Sequence, residues 1–144
     1  PKVIGTDGVQ KMSKSLNNHI ELAFTPEETL KKVMTMVTDP ARIRRSDPGN
    51  PDVCNVFSFH KVFSNADEIQ MVNTECRRAG IGCVEDKQLM AKNLNAYLEP
   101  FRIKRADLAK DPSAIWDILH DGAKRARVIA EKTMVEVRAA VGLP

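Results

Sequence analysis

A chain of 144 residues with 42% hydrophobic and 28% charged positions can bury one core and has the composition of an ordinary soluble domain. Aromatic residues make up only 5%, which disfavours a β-sandwich built on aromatic strands, and no run approaches the ~18 consecutive apolar residues that span a bilayer. The formal charge of +3 suits an anionic partner without demanding one, and three cysteines, an odd number, predict a reducing, cytoplasmic setting away from membranes.

Two regimes follow along the chain, 1–24 and 25–144. The first reads as irregular: a short apolar stretch, Val3-Ile4, then a turn marked by Gly5, Asp7 and Gly8. The second reads as helices. Thr25-Pro26-Glu27-Glu28 has the capping-box spacing, and Leu30, Val33, Met34 and Val37 repeat on one face of a helix that Pro40 should end. A loop over 46–51 leads to a helix predicted from Pro51 to Phe63, with Val53, Val56, Phe57 and Phe63 inward. Asn65 caps a third, ending at Gly80. A long helix over 84–110 should bury Leu89, Leu94, Leu98 and Phe101 and bend at Pro100, which removes one backbone donor. Asp111-Pro112 opens the last helical region, with a break expected at Asp121-Gly122 and Trp116 packed inward. Met34, Met36, Met71, Met90 and Met134 read as core filler. The fold class is mainly all-α.

One motif carries sharp chemistry: Lys11-Met12-Ser13-Lys14-Ser15, flanked by Gly8 and by Asn17-Asn18. Two ammonium groups three positions apart, with hydroxyls between and after, can fold over a polyphosphate. Lysines act there as mobile point charges, most useful where negative charge grows as a phosphorus–oxygen bond breaks. The bland alternative is a solvated basic turn.

The pentapeptide resembles the second signature of the class I aminoacyl-tRNA synthetases. The segments 37–45 (Val-Thr-Asp-Pro-Ala-Arg-Ile-Arg-Arg), 47–51 and 54–57 are similar to the tryptophan-specific enzymes of bacteria, as is the ending around Asp121-Gly122-Ala123-Lys124 and Ala140-Val141-Gly142-Leu143. The resemblance implies a short strand end and turn that deliver an ATP-activation loop from a nucleotide-binding fold, followed by a helical, anticodon-binding C-terminal domain. It implies that Lys14 contacts the leaving pyrophosphate, that Lys11 assists, and that Met12, Ser13 and Ser15 complete the ATP-binding loop. It further implies ATP with Mg as the substrate complex, tryptophan and its specific tRNA as partners, and a homodimeric full-length enzyme. The family's early His-Ile-Gly-His-type motif finds no match, since Glu21 follows His19-Ile20. The chain is therefore expected to be a C-terminal fragment, inactive alone. A stand-alone helical RNA-binding module with an inert loop, or a tyrosine-specific relative, are the competing readings.

Cys54, Cys76 and Cys83 resemble the first three positions of a four-cysteine iron–sulfur pattern in some of these enzymes, with the first interval one residue shorter and Asp86 in the fourth place. A carboxylate weakens a cluster, whose usual ligands are thiolates. The favoured reading is a lost site with three buried thiols; a cluster completed by Asp86 or an outside ligand, and a zinc site, are the alternatives. Arg77 and Arg78 are candidate tRNA contacts, without an aromatic platform beside them. Arg42, Arg44 and Arg45 read either as a solvated cluster or as contacts to RNA or to the lysine loop. His60 reads as a packed or capping histidine.

Overall fold

Helix α1 (Pro26–Met34) starts as its sequence dictates: the Thr25 hydroxyl accepts from the Glu28 N–H at 3.2 Å, and the Glu28 carboxylate accepts from the Thr25 N–H at 2.8 Å. The structure, a computed structural model, describes residues 3–143. After a 3-10 turn (Pro51–Val53) come α2 (Asn55–Phe63), α3 (Ala66–Arg77), α4 (Cys83–Ala109) and α5 (Pro112–Ala140). The expected helical class is found. Among the described residues the only β pairing is an isolated antiparallel bridge, Ile4 with Lys11.

Two compact units are present, Pro1–Arg102 and Ile103–Pro144. In the first, one core gathers Val33 and Met36, then Val56, Phe57 and Phe59 of α2, Val72 of α3, and Met90, Ala91, Leu94 and Leu98 of α4. Met12, inside the lysine motif, packs against this core and ties the loop to it. A second tie is polar. Arg102 donates to the carbonyl of Phe24 at 2.8 Å, the Thr29 hydroxyl at 2.9 Å and the Asn95 side-chain oxygen at 2.8 Å. It thereby pins the entry to α1 against α4.

Several expectations are corrected. Helix α1 ends at Met34, before Pro40 is reached, because the chain turns away: Thr35 closes the last turn on Lys32, and the Val37 N–H goes to the Thr6 carbonyl. The inward face is therefore Thr29, Val33 and Met36, while Leu30 and Val37 are exposed. Val53 and Phe101 are exposed too. The long helix expected over 84–110 is found as α4, with Pro100 inside it. No break occurs at Asp121-Gly122: α5 is continuous through both, capped by Asp111, with no buried residue. Trp116 is 62% exposed and so is not core, and Met71 and Met134 are exposed, whereas Met36 and Met90 are buried as expected.

Beneath the core runs a polar line joining three helices. The Asn93 amide donates to Glu68 at 2.7 Å and to the Ser64 hydroxyl at 2.8 Å, and Ser64 lies 2.7 Å from His60 Nδ1. His60 is fully buried, in keeping with its reading as packed. Its Nε2 lies 3.1 Å from Asp86 Oδ1 but out of line for a hydrogen bond, so the contact is one of proximity between polar atoms.

Candidate functional site

The lysine segment is delivered by a tight turn. Gly5 N–H bonds to the Gln10 carbonyl at 2.7 Å and Gly8 N–H to the Gly5 carbonyl at 3.0 Å, while Asp7 accepts from the N–H groups of Val9 and Gln10 at 3.0 and 3.2 Å. Gly8 has φ +73°, a left-handed conformation that costs glycine little. The Val9 N–H, then the Asn18 amide, hold the Asp7 carboxyl below its usual range.

Asn18 is the clasp of this turn. Nearly fully buried, it donates from Nδ2 to Asp7 Oδ2 at 2.7 Å and to the Lys11 carbonyl at 3.2 Å. Its Oδ1 accepts from the Ser13 N–H at 2.7 Å, and its own carbonyl accepts from Thr6 at 2.7 Å. A Cβ on Gly5 would stand 2.4 Å from Asn18 Nδ2, so glycine is required there by close approach. Asn17 takes φ 50°, and Lys32 of α1 reaches across to its carbonyl and side-chain oxygen. Asn55 of α2 donates to the Gly5 carbonyl at 2.8 Å and seats the turn on the helices.

Between these anchors the five motif residues divide by exposure. Met12 and Ser13 are half-buried; Lys11, Lys14 and Ser15 are exposed. The Ser13 and Ser15 hydroxyls are 2.8 Å apart, and the Asn17 N–H closes the turn on the Lys14 carbonyl at 3.1 Å. Neither ammonium group belongs to an ion pair among the described residues. The arrangement offers two un-neutralised cations and paired hydroxyls on a pinned turn, suited to a polyphosphate.

A family profile described as "tRNA synthetases class I (W and Y)" matches residues 1–99. The chain belongs to that family. Tryptophan–tRNA ligase of Aquifex aeolicus is 46% identical over the whole of this chain, which covers 36% of that protein; the ligase of Thermotoga maritima is 44% identical over 99% of this chain and 44% of its own length. Among solved structures, tryptophanyl-tRNA synthetase from Campylobacter jejuni, complexed with ADP and tryptophan, superposes with a TM-score of 0.84 at 31% identity, over 99% of this chain and 44% of that one. The chain thus spans less than half the length of these relatives.

In this synthetase-family chain Cys54, Cys76, Cys83 and Asp86 lie close enough to feel one another's charge. Among the described residues no three or more His, Cys, Asp or Glu side chains are placed to hold a metal ion. Asp86 lies against His60 at 3.1 Å, and Arg42 Nη1 sits 3.8 Å from Cys76 Sγ. Only Cys54 is buried; Cys76 and Cys83 are half-buried, which corrects the expectation of three buried thiols. Burial pushes the Cys54 thiol up to about 11, and burial likewise raises Cys76.

Arg77 donates to Asp52 at 2.7 Å and to Asn73 at 2.8 Å, and Arg78 pairs with Glu75. Sequence reasoning missed Asn18, Asp7, Lys32 and Arg102. Asn18 stood visibly beside the motif, but nothing local indicates that its side chain folds back over seven residues to Lys11.

Proposed function

We propose that this chain is the C-terminal part of a tryptophan–tRNA ligase, whose full-length form joins tryptophan to the AMP part of ATP as an aminoacyl-adenylate and then transfers the tryptophanyl group to the tRNA specific for tryptophan, releasing AMP. The observation that carries the reading is the pinned turn: Asn18 fixes its base while Lys11 and Lys14 stand free of carboxylates. The names of the relatives support the amino acid. In this reading the tryptophan carboxylate attacks the α-phosphorus of Mg-bound ATP and pyrophosphate departs. Lys14 takes up the negative charge that grows on the departing group, Lys11 adds a second cation, and the Ser13 and Ser15 hydroxyls and the Met12 anchor shape the loop around phosphate oxygens. The helices from α1 onward face tRNA, with Arg77 and Arg78 exchanging their carboxylate partners for phosphate on contact. A cytoplasmic homodimer is the form that accompanies this reading. No helix among the described residues is long and apolar enough to cross a membrane.

In the full-length protein, Lys14→Ala should slow tryptophan-dependent pyrophosphate exchange by roughly 10²–10³-fold, the scale on which one electrostatic contact to developing charge acts. The thermal midpoint should not move, since Lys14 is exposed. An unchanged exchange rate would remove Lys14 from the mechanism, and exchange driven by tyrosine instead would overturn the choice of amino acid.

A further inference from the structure

The loop over 39–47 and the start of α4 border an open cleft of about 440 Å³, within the ~300–1,000 Å³ of ordinary ligand sites. Three guanidinium-bearing residues line it, Arg42, Arg44 and Arg45, against one carboxylate, Glu85. The four are not equivalent. Arg45 pairs with Glu85 at 3.1 Å, and Glu85 also accepts the Gly82 N–H at 2.7 Å, which with Arg45 holds its carboxyl below the usual range. That pair is internally satisfied.

Arg42 bonds only neutral acceptors, the carbonyls of Arg45 at 2.9 Å and Ile81 at 2.8 Å, and the Cys76 sulfur at 3.8 Å. Its positive charge is held in place but not cancelled. Arg44 has no ion pair among the described residues, yet its backbone is fixed, with its N–H on Asp47 Oδ2 at 2.7 Å. Asp39, itself buried, braces the same loop by accepting from Ala41 at 2.9 Å and Asn50 at 2.8 Å. The loop is therefore ordered by its carboxylates while two guanidinium charges stay available. Ile43, 89% exposed, and Val84, 56% exposed, add apolar surface at the rim.

We propose that this cleft binds a phosphodiester of single-stranded RNA, with Arg44 as the primary phosphate contact, Arg42 adding field, and Ile43 and Val84 lying against the sugar or base. Arginine's planar fork suits phosphate oxygens, and a basic cleft with an apolar rim suits an unpaired strand better than the narrow groove of an RNA duplex. The proposal rests on the reading of the chain as a tRNA-binding part of a ligase and names a site for that partner. It differs from Arg77 and Arg78, whose charges are already engaged by Asp52 and Glu75.

The test uses the full-length protein, tRNA specific for tryptophan, and binding measured across a range of salt concentrations. Arg44→Ala should weaken binding roughly tenfold, the worth of one charge-assisted hydrogen bond, and lower the slope of log affinity against log salt by about 0.7, as for one lost single-strand phosphate contact. Arg44→Lys should keep the slope and recover part of the affinity. Unchanged affinity and slope in Arg44→Ala would overturn the proposal. So would an equal loss in both variants accompanied by a fall in thermal midpoint, which would mark a structural role. Inorganic phosphate that protects the cleft while the RNA slope stays at its original value in Arg44→Ala would assign the cleft to free anions and also overturn it. Pyrophosphate exchange by the unsubstituted protein needs no RNA, so failure of the lysine-loop reading registers separately.

Discussion

Asn18 illustrates how one amide can set the shape of a functional turn. Its side chain serves Asp7, the Lys11 carbonyl and the Ser13 N–H together, from a nearly fully buried position. Asn18→Ala removes the Asn18 partner of the Lys11 carbonyl and the Ser13 N–H and one of the three hydrogen bonds to Asp7, each worth about 0.5–1.5 kcal/mol. The full-length variant is expected to lose pyrophosphate-exchange rate with a lower melting midpoint, whereas Lys14→Ala loses rate alone. Equal midpoints for the Asn18 variant and the parent would deny the clasp. Cys54 supports a prediction of different sign. Its folded thiol, pushed by burial to about 11 from the ordinary 9.0, binds its proton more tightly than the unfolded one. Its contribution is complete below pH 9.0 and is lost as pH rises toward 11, on the order of 2–3 kcal/mol across that window. Near pH 8 only about one Cys54 in a thousand is thiolate, so iodoacetamide should modify Cys76 and Cys83 well before it.

At the scale of the element, capping was the most legible signal in the sequence. Thr25 with Glu28 and Asn65 with Glu68 both form reciprocal boxes, and Asp111 caps α5. Thr25→Ala should cost about 1 kcal/mol in a denaturant titration, and no change in midpoint would mean that Arg102 alone holds the start of α1. Termini set by distant partners were not legible: Val37 leaves the helical path for Thr6, 31 positions earlier in the chain, and a periodic apolar pattern carries no trace of that bond. Gly122 misled for a related reason. A glycine often ends a helix, yet here it sits within α5, and a methyl group added to it would meet nothing within 4 Å, so the helix tolerates it. Gly122→Ala should raise helicity and stability by about 0.5–1 kcal/mol. A loss of stability would show that α5 needs the break that the sequence suggested.

For the whole molecule, the core of the first unit was partly readable from periodicity, because Val33, Val56, Phe57, Leu94 and Leu98 are buried as their spacing suggests. The second unit was misread at Trp116, since helical spacing identifies a shared face but not whether anything covers it. In the 144-residue chain its one tryptophan should be freely quenched by acrylamide; a shielded, blue-shifted emission would mean that α5 is covered. Arg102 has a consequence for biogenesis. The oxygens of Phe24 and Thr29 that it grips lie 78 and 73 positions upstream, and closing so long a loop carries an entropic cost that only completed partners offset. During synthesis, the entry to α1 therefore emerges from the ribosome long before its Arg102 brace exists, and it is pinned only once the last third of α4 has followed.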